Sequence, residues 1–468
     1  MNTESKRIIR LLIALCGLFI SLVIYISYFQ IFIADKIVSN SYNKRQWINE
    51  ENILRGEIAD RRGTVLVKST KADNGQIREY KYGPVYSHII GYSSREYGKS
   101  GIEATYNKEL LDLNDLDPIE DLKNILTDGE SVGNNVVLTV DHNIQSYAYK
   151  LFGNRKGSAV LMNPKTGEIY SMISSPSFNP STLKKDWEDI IANEDSPLLN
   201  RATMGLYAPG SIFKIITATA AIENDDTSGV YDCKGSITID GYVLKDYKGE
   251  AHGKVDLSEA LAKSCNVAFS QIGLEVGADK LRETAERYMF NANIPFDLKT
   301  AKSIFPGKVD SEPELGASAI GQGKVLVTPL NMVMVASAIG NQGEMVKPIL
   351  VREIIDSNNR VLRKNKTEVL SRVTTPEIAE QIKSMMIDVV EKGTGKNAKI
   401  KNIQVAGKTG TAENETGKEH AWFIGFAPAD DPIVAVAVVV ESSGKTGGTE
   451  AAPIARDLMK KAIDILSK

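Results

Sequence analysis

Tyr207-Ala208-Pro209-Gly210-Ser211-Ile212-Phe213-Lys214 is the stretch on which the reading of the whole chain turns. Pro209 and Gly210 close whatever precedes them. The run Ile212, Phe213, Ile215, Ile216, Ala218, Ala220, Ala221 and Ile222 then has the pattern of a buried helix. That puts Ser211 at a helix N-terminus, where free backbone N–H groups and the helix dipole favour developing negative charge. Lys214 falls one turn later on the same face, within reach of the hydroxyl. A lysine at a buried helix start packs poorly, but it becomes a base when burial lowers its pKa. Taken alone, the pattern reads first as a serine N-cap with a lysine reaching back to solvent. The rest of the chain decides between the two.

With 468 residues there is length for two or more domains and a large core. The net charge is −3 with 25% charged residues, so no basic field marks the chain for nucleic acid. By their spacing, Cys16, Cys233 and Cys265 make neither a disulfide framework nor a metal cluster, and His88, His142, His252 and His420 are scattered. No metal and no cofactor is expected. Leu11 to Ile33 is almost wholly apolar, and about 20 such residues span a bilayer. Lys6, Arg7 and Arg10 precede it, which predicts a cytoplasmic tail at 1–10, a membrane helix at 11–33 and an extracytoplasmic remainder. The run is long for a cleaved signal peptide and no small-x-small site follows, so an uncleaved single-pass anchor is expected. Leu15 is too bulky for a lipoprotein signal at Cys16, which reads as membrane-buried packing.

Residues 36–54 read as a juxtamembrane helix or linker. Next, Arg55-Gly56-Glu57-Ile58-Ala59-Asp60-Arg61-Arg62-Gly63-Thr64-Val65-Leu66 reads as a hairpin with charged residues at its tip. Gly101 to Leu110 reads as a short helix, 112–135 as an acidic loop, and Val136–Val140 as a strand followed by a helix from Asn143. A different texture starts near Gly157. Ser158–Asn163 and Glu168–Ser174 are strands joined by the turn Asn163-Pro164-Lys165-Thr166-Gly167. Helices are predicted over Leu257–Leu274, from Thr328-Pro329 to Ile339, over Glu377–Val390 and over Ala452–Leu466. Val405–Ala412, Trp422–Phe426 and Ile433–Val440 read as a three-stranded antiparallel meander. Together these predict an α+β fold, an antiparallel sheet flanked by helices.

Three polar islands interrupt this apolar pattern: Ser211-x-x-Lys214, Ser264-Cys265-Asn266 and Lys408-Thr409-Gly410. Each alone is weak. In this order, with the first opening a helix and the third on a strand, they form the signature of penicillin-recognising acyl-serine enzymes. Gly321-Gln322-Gly323 with Thr328-Pro329-Leu330, Gly407 to Glu413, Ala421-Trp422-Phe423-Ile424-Gly425-Phe426-Ala427-Pro428 and Asn163 to Ile169 also resemble the penicillin-binding transpeptidase family. The resemblance covers roughly residues 157–466. Upstream, Arg55 to Gly63 and Gly101-Ile102-Glu103 with Tyr106 resemble the N-terminal module of class B penicillin-binding proteins. Residues 34–150 are too short for the glycosyltransferase domain of the bifunctional class. They are expected to form a small, mostly β pedestal before a transpeptidase domain at 151–468.

This resemblance implies a monofunctional peptidoglycan D,D-transpeptidase that acts on D-Ala-D-Ala stem peptides and is acylated by β-lactams. Acyl transfer needs a nucleophile, a base, an oxyanion site and a grip on the terminal carboxylate. Ser211 is expected as nucleophile and Lys214 as its base. Ser264 is expected to relay a proton to the leaving D-alanine, with Asn266 orienting Lys214 and the substrate amide. Lys408, Thr409, Gly410 and Thr411 are expected around the substrate carboxylate, with the N–H groups of Ser211 and Thr411 as the oxyanion hole. A second Lys445-Thr446-Gly447 lies among Ser442, Ser443, Gly444 and Gly448 and reads as a flexible loop. Cys265 reads as a small packing thiol. The resemblance further implies a polytopic membrane glycan polymerase as partner, and the hairpin around Arg55–Gly63 is expected to contact it through Asp60 and Arg61. A β-lactamase or β-lactam sensor shares the three motifs, and a catalytically silent cell-wall scaffold is the third reading.

Overall fold

In the computed structural model, residues 3–33, 53–72, 75–112, 131–224, 229–414 and 417–467 are described. Most of the linker expected at 36–54 and of the acidic loop at 112–135 lies outside them. The first element is a helix, Thr3–Tyr28, continued by a π-helical turn at Phe29–Ile33. Its stretch Ile9–Tyr28 is unburied among the described residues and is long and apolar enough to cross a membrane.

Five antiparallel strands form the central sheet, in the order Ile169–Ser175, Gly157–Met162, Val434–Val440, His420–Ala427, Ala406–Ala412. Val434–Val440 is buried at every position, which explains its unbroken apolar run. Helices His142–Phe152 and Ala451–Leu466 cover one face, and Pro329–Gly340 crosses the other. The predicted meander and the expected helices at the third motif's side of the chain are present within one or two residues of their sequence bounds.

A six-stranded sheet lies nearer the N-terminus. Its order is Val361–Lys364, Val351–Ile355, Asn135–Leu138, Ile58–Ala59, Val65–Ala72, Gly75–Tyr80. Two of its strands come from beyond residue 350, so the expected division at residue 150 runs through this sheet. Further ties join the same regions. The Tyr106 hydroxyl bonds to Asp297, whose Oδ2 accepts the N–H groups of Leu350 (2.8 Å) and Val351 (3.1 Å).

The hairpin tip is not the free charged surface that the sequence suggests. Asp60 is fully buried: Oδ1 accepts Arg62 N–H (2.9 Å) and Thr64 N–H (2.7 Å), and Oδ2 accepts His142 N–H (3.0 Å) at the start of the next helix. Arg61 lies over the Tyr170 ring and pairs with Glu168 at 3.2 Å, while Arg62 pairs with Asp141 at 2.6 Å. These side chains fasten the hairpin to the residues that follow it, while Arg61 Nη1 has no hydrogen-bond partner among the described residues and about half of the Arg62 side chain stays exposed.

Two predicted helices are broken. Gly101–Leu110 is split at Tyr106 into Gly101–Thr105 and Asn107–Leu110. Leu257–Leu274 becomes Leu257–Lys263 and Asn266–Val276, because Ser264 takes a left-handed conformation (φ +61°). Cys265 then caps the second helix, its Sγ accepting Ala268 N–H at 3.4 Å. The polar island is a helix end followed by a helix start. Before it, residues 231–255 form two small hairpins, Tyr231–Cys233 with Gly253–Val255 and Ser236–Ile239 with Tyr242–Lys245.

Candidate active site

Ser211 lies on a 3-10 turn, Gly210–Phe213, that runs into the buried helix Lys214–Glu223. The turn is held from two sides. Gly210 has φ +55°, and a Cβ there would stand 2.7 Å from Thr411 O, so only glycine lets the turn approach the strand Ala406–Ala412 this closely. Gly210 N–H donates to Gly321 O (2.8 Å), and Trp422 Nε1–H donates to Ala208 O (3.1 Å).

Lys214 is fully buried. Its Nζ donates to Ser264 O (2.6 Å) and Asn266 Oδ1 (2.7 Å) and lies 5.4 Å from the Phe269 ring centre. Burial lowers its pKa to about 8, partly offset by the negative field of Asp246. Lys408, also fully buried, donates to Ser264 Oγ (2.8 Å) and Thr409 O (3.0 Å). Burial first, and the charge of Lys214 second, hold its ammonium well below the ordinary lysine range. Ser264 thus touches both amines, one through its carbonyl and one through its hydroxyl.

Ser211, Ser264, Asn266, Thr409 and Thr411 all line one open cleft of about 1230 Å³. The sheet ends at Ala406–Ala412 on the cleft side, and no further strand follows it among the described residues. Gly410 does not line the cleft: a Cβ there would lie 2.8 Å from Pro209 O, so its place is beneath the nucleophile turn.

With three separated motifs converging on one cleft, the comparison with known families is direct. Residues 157–460 match the penicillin binding protein transpeptidase domain, and residues 55–136 match the penicillin binding protein A dimerisation domain. The chain belongs to the penicillin-binding transpeptidases.

Among its relatives within that family is the peptidoglycan D,D-transpeptidase PbpA of Mycolicibacterium smegmatis, 32% identical over 99% of both chains. A solved structure of penicillin-binding protein A from M. tuberculosis, a ceftriaxone acyl-enzyme complex, superposes with a TM-score of 0.84 at 32% identity, over 89% of this chain and 100% of that one. The D,D-transpeptidase domain of a peptidoglycan glycosyltransferase from Eggerthella lenta is 35% identical, with a TM-score of 0.80 over 89% of this chain and 99% of that one.

This penicillin-binding transpeptidase has site residues that its motifs did not announce. Asp246 Oδ1 accepts the Asn266 N–H, and Lys245 O accepts Asn266 Nδ2–H at 3.0 Å, so the hairpin end at 245–246 holds the second motif. Thr394 Oγ1 lies 2.5 Å from Thr409 Oγ1 and reaches the cleft from the loop after Pro376–Glu391. No local pattern marks either position, since each acts only across a tertiary contact.

The second Lys-Thr-Gly is placed rather than loose. Gly447 packs so closely that a Cβ would lie 2.3 Å from Gly410 O, its N–H reaches Thr411 Oγ1 at 3.3 Å, and Lys445 pairs with Glu450 at 2.8 Å. Finally, Cys233, Asp246, His252 and Cys265 come together with their donor atoms all within 4.8 Å. Spacing along the chain did not show this grouping: the hairpins at 231–255 close distances that the sequence leaves open.

Proposed function

We propose that this chain is a membrane-anchored peptidoglycan D,D-transpeptidase in which Ser211 is acylated, with Lys214, Ser264, Asn266 and Lys408 carrying the proton and charge work. The observation behind this is the buried Lys214 Nζ, one turn from Ser211 and bonded to Asn266 Oδ1 and Ser264 O. A lysine with pKa about 8 has a substantial neutral fraction near neutral pH. Two buried amines sharing Ser264 repel each other's protons. A substrate carboxylate arriving beside Lys408, Thr409 and Thr411 favours the proton on Lys408 and leaves Lys214 as free base.

In the reaction, Ser211 Oγ attacks the carbonyl of the penultimate D-alanine and Lys214 takes the hydroxyl proton. The oxyanion meets the N–H groups of Ser211 and Thr411, an arrangement worth about 3 kcal/mol per donor. The C–N bond then breaks, the proton passes through Ser264 to the leaving D-alanine amine, and an acyl-serine remains. An acceptor amine then attacks that ester and gives a proton to neutral Lys214. The ester C–O bond breaks, Lys214 passes the proton to Ser211 Oγ, and the cross-linking amide is left with the enzyme restored. A β-lactam enters by the same attack, but its leaving nitrogen stays tethered in the opened ring.

We further propose that the helix Thr3–Tyr28 holds the chain in the cell membrane with its N-terminus cytoplasmic, on the basis of Lys6, Arg7 and Arg10. A polytopic glycan polymerase in the same membrane would supply strands. With Asp60 and Arg61 engaged internally, the anchor helix is the segment to probe: replacing residues 11–33 by an unrelated apolar helix should abolish co-purification with such a polymerase, and unchanged co-purification would sink that pairing.

Fluorescent penicillin tests the catalytic reading. Stable label on the full chain, absent in Ser211→Ala with its melting temperature unchanged, supports it. Rapid release of label would indicate a hydrolase, and no labelling would indicate a silent scaffold.

A further inference from the structure

We propose that Cys233, Asp246, His252 and Cys265 form a closed four-coordinate site for one soft divalent cation, zinc by the chemistry of its donors, which holds the second catalytic motif in position. Nothing in the acyl-transfer mechanism uses Cys233 or His252, yet they and their neighbours are buried together. Cys233, Cys265 and Asp246 are almost completely shielded, and the His252 side chain is about nine-tenths shielded. Both cysteines are free thiols.

Three of the four donor separations fall within the edges of a zinc tetrahedron, and the fourth is a few tenths of an ångström shorter. Around Asp246 Oδ2 lie Cys233 Sγ at 2.9 Å, Cys265 Sγ at 3.4 Å and His252 Nδ1 at 3.6 Å, and Cys233 Sγ to His252 Nδ1 is 3.5 Å. A tetrahedron with zinc bonds of about 2.0–2.3 Å has edges of about 3.3–3.8 Å. Two thiolates and an imidazole select zinc over magnesium or calcium, which prefer oxygen, and four protein donors leave no open position. The site is therefore structural rather than a Lewis acid for the reaction.

Charge conservation is equally informative. On binding, Zn²⁺ replaces two thiol protons, and both protons leave to solvent. The cluster carries one negative charge before, on Asp246, and one after, from two thiolates, a carboxylate and the dication. The field at Lys214 is thus unchanged to first order, and the metal acts through position. Asp246 is the shared element: Oδ2 faces the thiols and the imidazole, while Oδ1 accepts the Asn266 N–H. Cys265 is the residue between Ser264 and Asn266, and Lys245, beside Asp246, accepts from the Asn266 amide. An ion at the cluster ties Asn266, and through it Lys214, to both hairpins of residues 231–255.

The site itself stands independently of the transpeptidase reading, while its effect on acylation rests on that reading. The full-length chain in detergent, purified with zinc in the medium, should contain about one zinc per chain by elemental analysis. Replacement by cobalt should give thiolate-to-metal charge-transfer absorption and the visible bands of tetrahedral Co²⁺. Both signals should be lost in Cys233→Ser/His252→Ala. Metal content well below one equivalent with no cobalt spectrum in the unmodified chain, or a Cys233–Cys265 disulfide in protein purified under nitrogen, overturns the site. Chelation should slow penicillin acylation by about tenfold or more, and zinc should restore it. In Asn266→Ala the residual rate should no longer respond to chelation. Cobalt bands with an acylation rate indifferent to chelation would overturn the link to the motif.

Discussion

Among the described residues Lys214 donates to two neutral acceptors, Ser264 O and Asn266 Oδ1, and to no carboxylate, so burial governs its proton. Its free-base fraction grows as pH rises through about 8, so the acylation rate should climb about tenfold per pH unit below that value and level above it. Stopped-flow acylation by a β-lactam across pH 6 to 10 reads this directly, and a flat profile would exclude Lys214 as the titrating base. Lys214→Arg keeps the charge but cannot give up its proton, and should lose at least about a hundredfold in acylation rate. At this scale the sequence was most legible. Ser211, Lys214, Ser264, Asn266, Lys408, Thr409 and Thr411 all reach one region, because each motif fixes a residue type on a local element. Gly410 is the exception, present for the closeness it permits. Asp246 and Thr394 carried no local signal at all.

Among elements, the turn that presents Ser211 depends on a contact with a strand two hundred residues away in sequence. Gly210→Ala would put a methyl group 2.7 Å from Thr411 O at a left-handed φ, and something must shift. A displaced nucleophile should cost about a hundredfold or more in penicillin acylation. Circular dichroism should stay unchanged, and full acylation in this variant would contradict the packing. A second element-level device is Glu103, which joins the helix Gly101–Thr105 to Arg55 (2.6 Å) and Arg78 (2.8 Å). Burial would raise its pKa, but the two guanidinium groups more than offset this and hold it at about 2. Because the folded value lies below the ordinary 4.5, its stabilisation is complete above pH 4.5 and is lost as pH falls through about 2. Glu103→Gln should cost about 3 kcal/mol in thermal or urea unfolding, by stranding two buried cations. Helix breaks at Tyr106 and Ser264 escaped the sequence pattern because apolar spacing continues across them. The φ of +61° at Ser264 is imposed by its place between two helices, with Lys408 on its hydroxyl.

The whole molecule is less divisible than its two sequence textures suggest. Strands Val351–Ile355 and Val361–Lys364 complete a sheet that begins at Ile58–Ala59, and Asp60 caps the helix His142–Phe152 that covers the central sheet. A chain starting at residue 157 would leave Val351–Ile355 without its Asn135–Leu138 neighbour, exposing an unpaired strand edge. It should aggregate on gel filtration, whereas a chain starting at residue 53 should run as a defined species. A monomeric, penicillin-binding 157–468 fragment would show the N-terminal sheet to be dispensable. Such pairings across two hundred residues are invisible to periodicity, which reports an element's face but not its partner. The same limit hid the cluster of Cys233, Asp246, His252 and Cys265.

The central sheet stops at Ala406–Ala412, beside the cleft. A last strand has main-chain donors and acceptors without a neighbouring strand, and an extended peptide can dock there as a guest strand. Recognition of that kind reads the ligand's amide backbone and chirality before its side chains. It follows that this enzyme should discriminate weakly among stem peptides differing in side chain, and strongly against any substrate whose amide nearest the scissile bond is N-methylated.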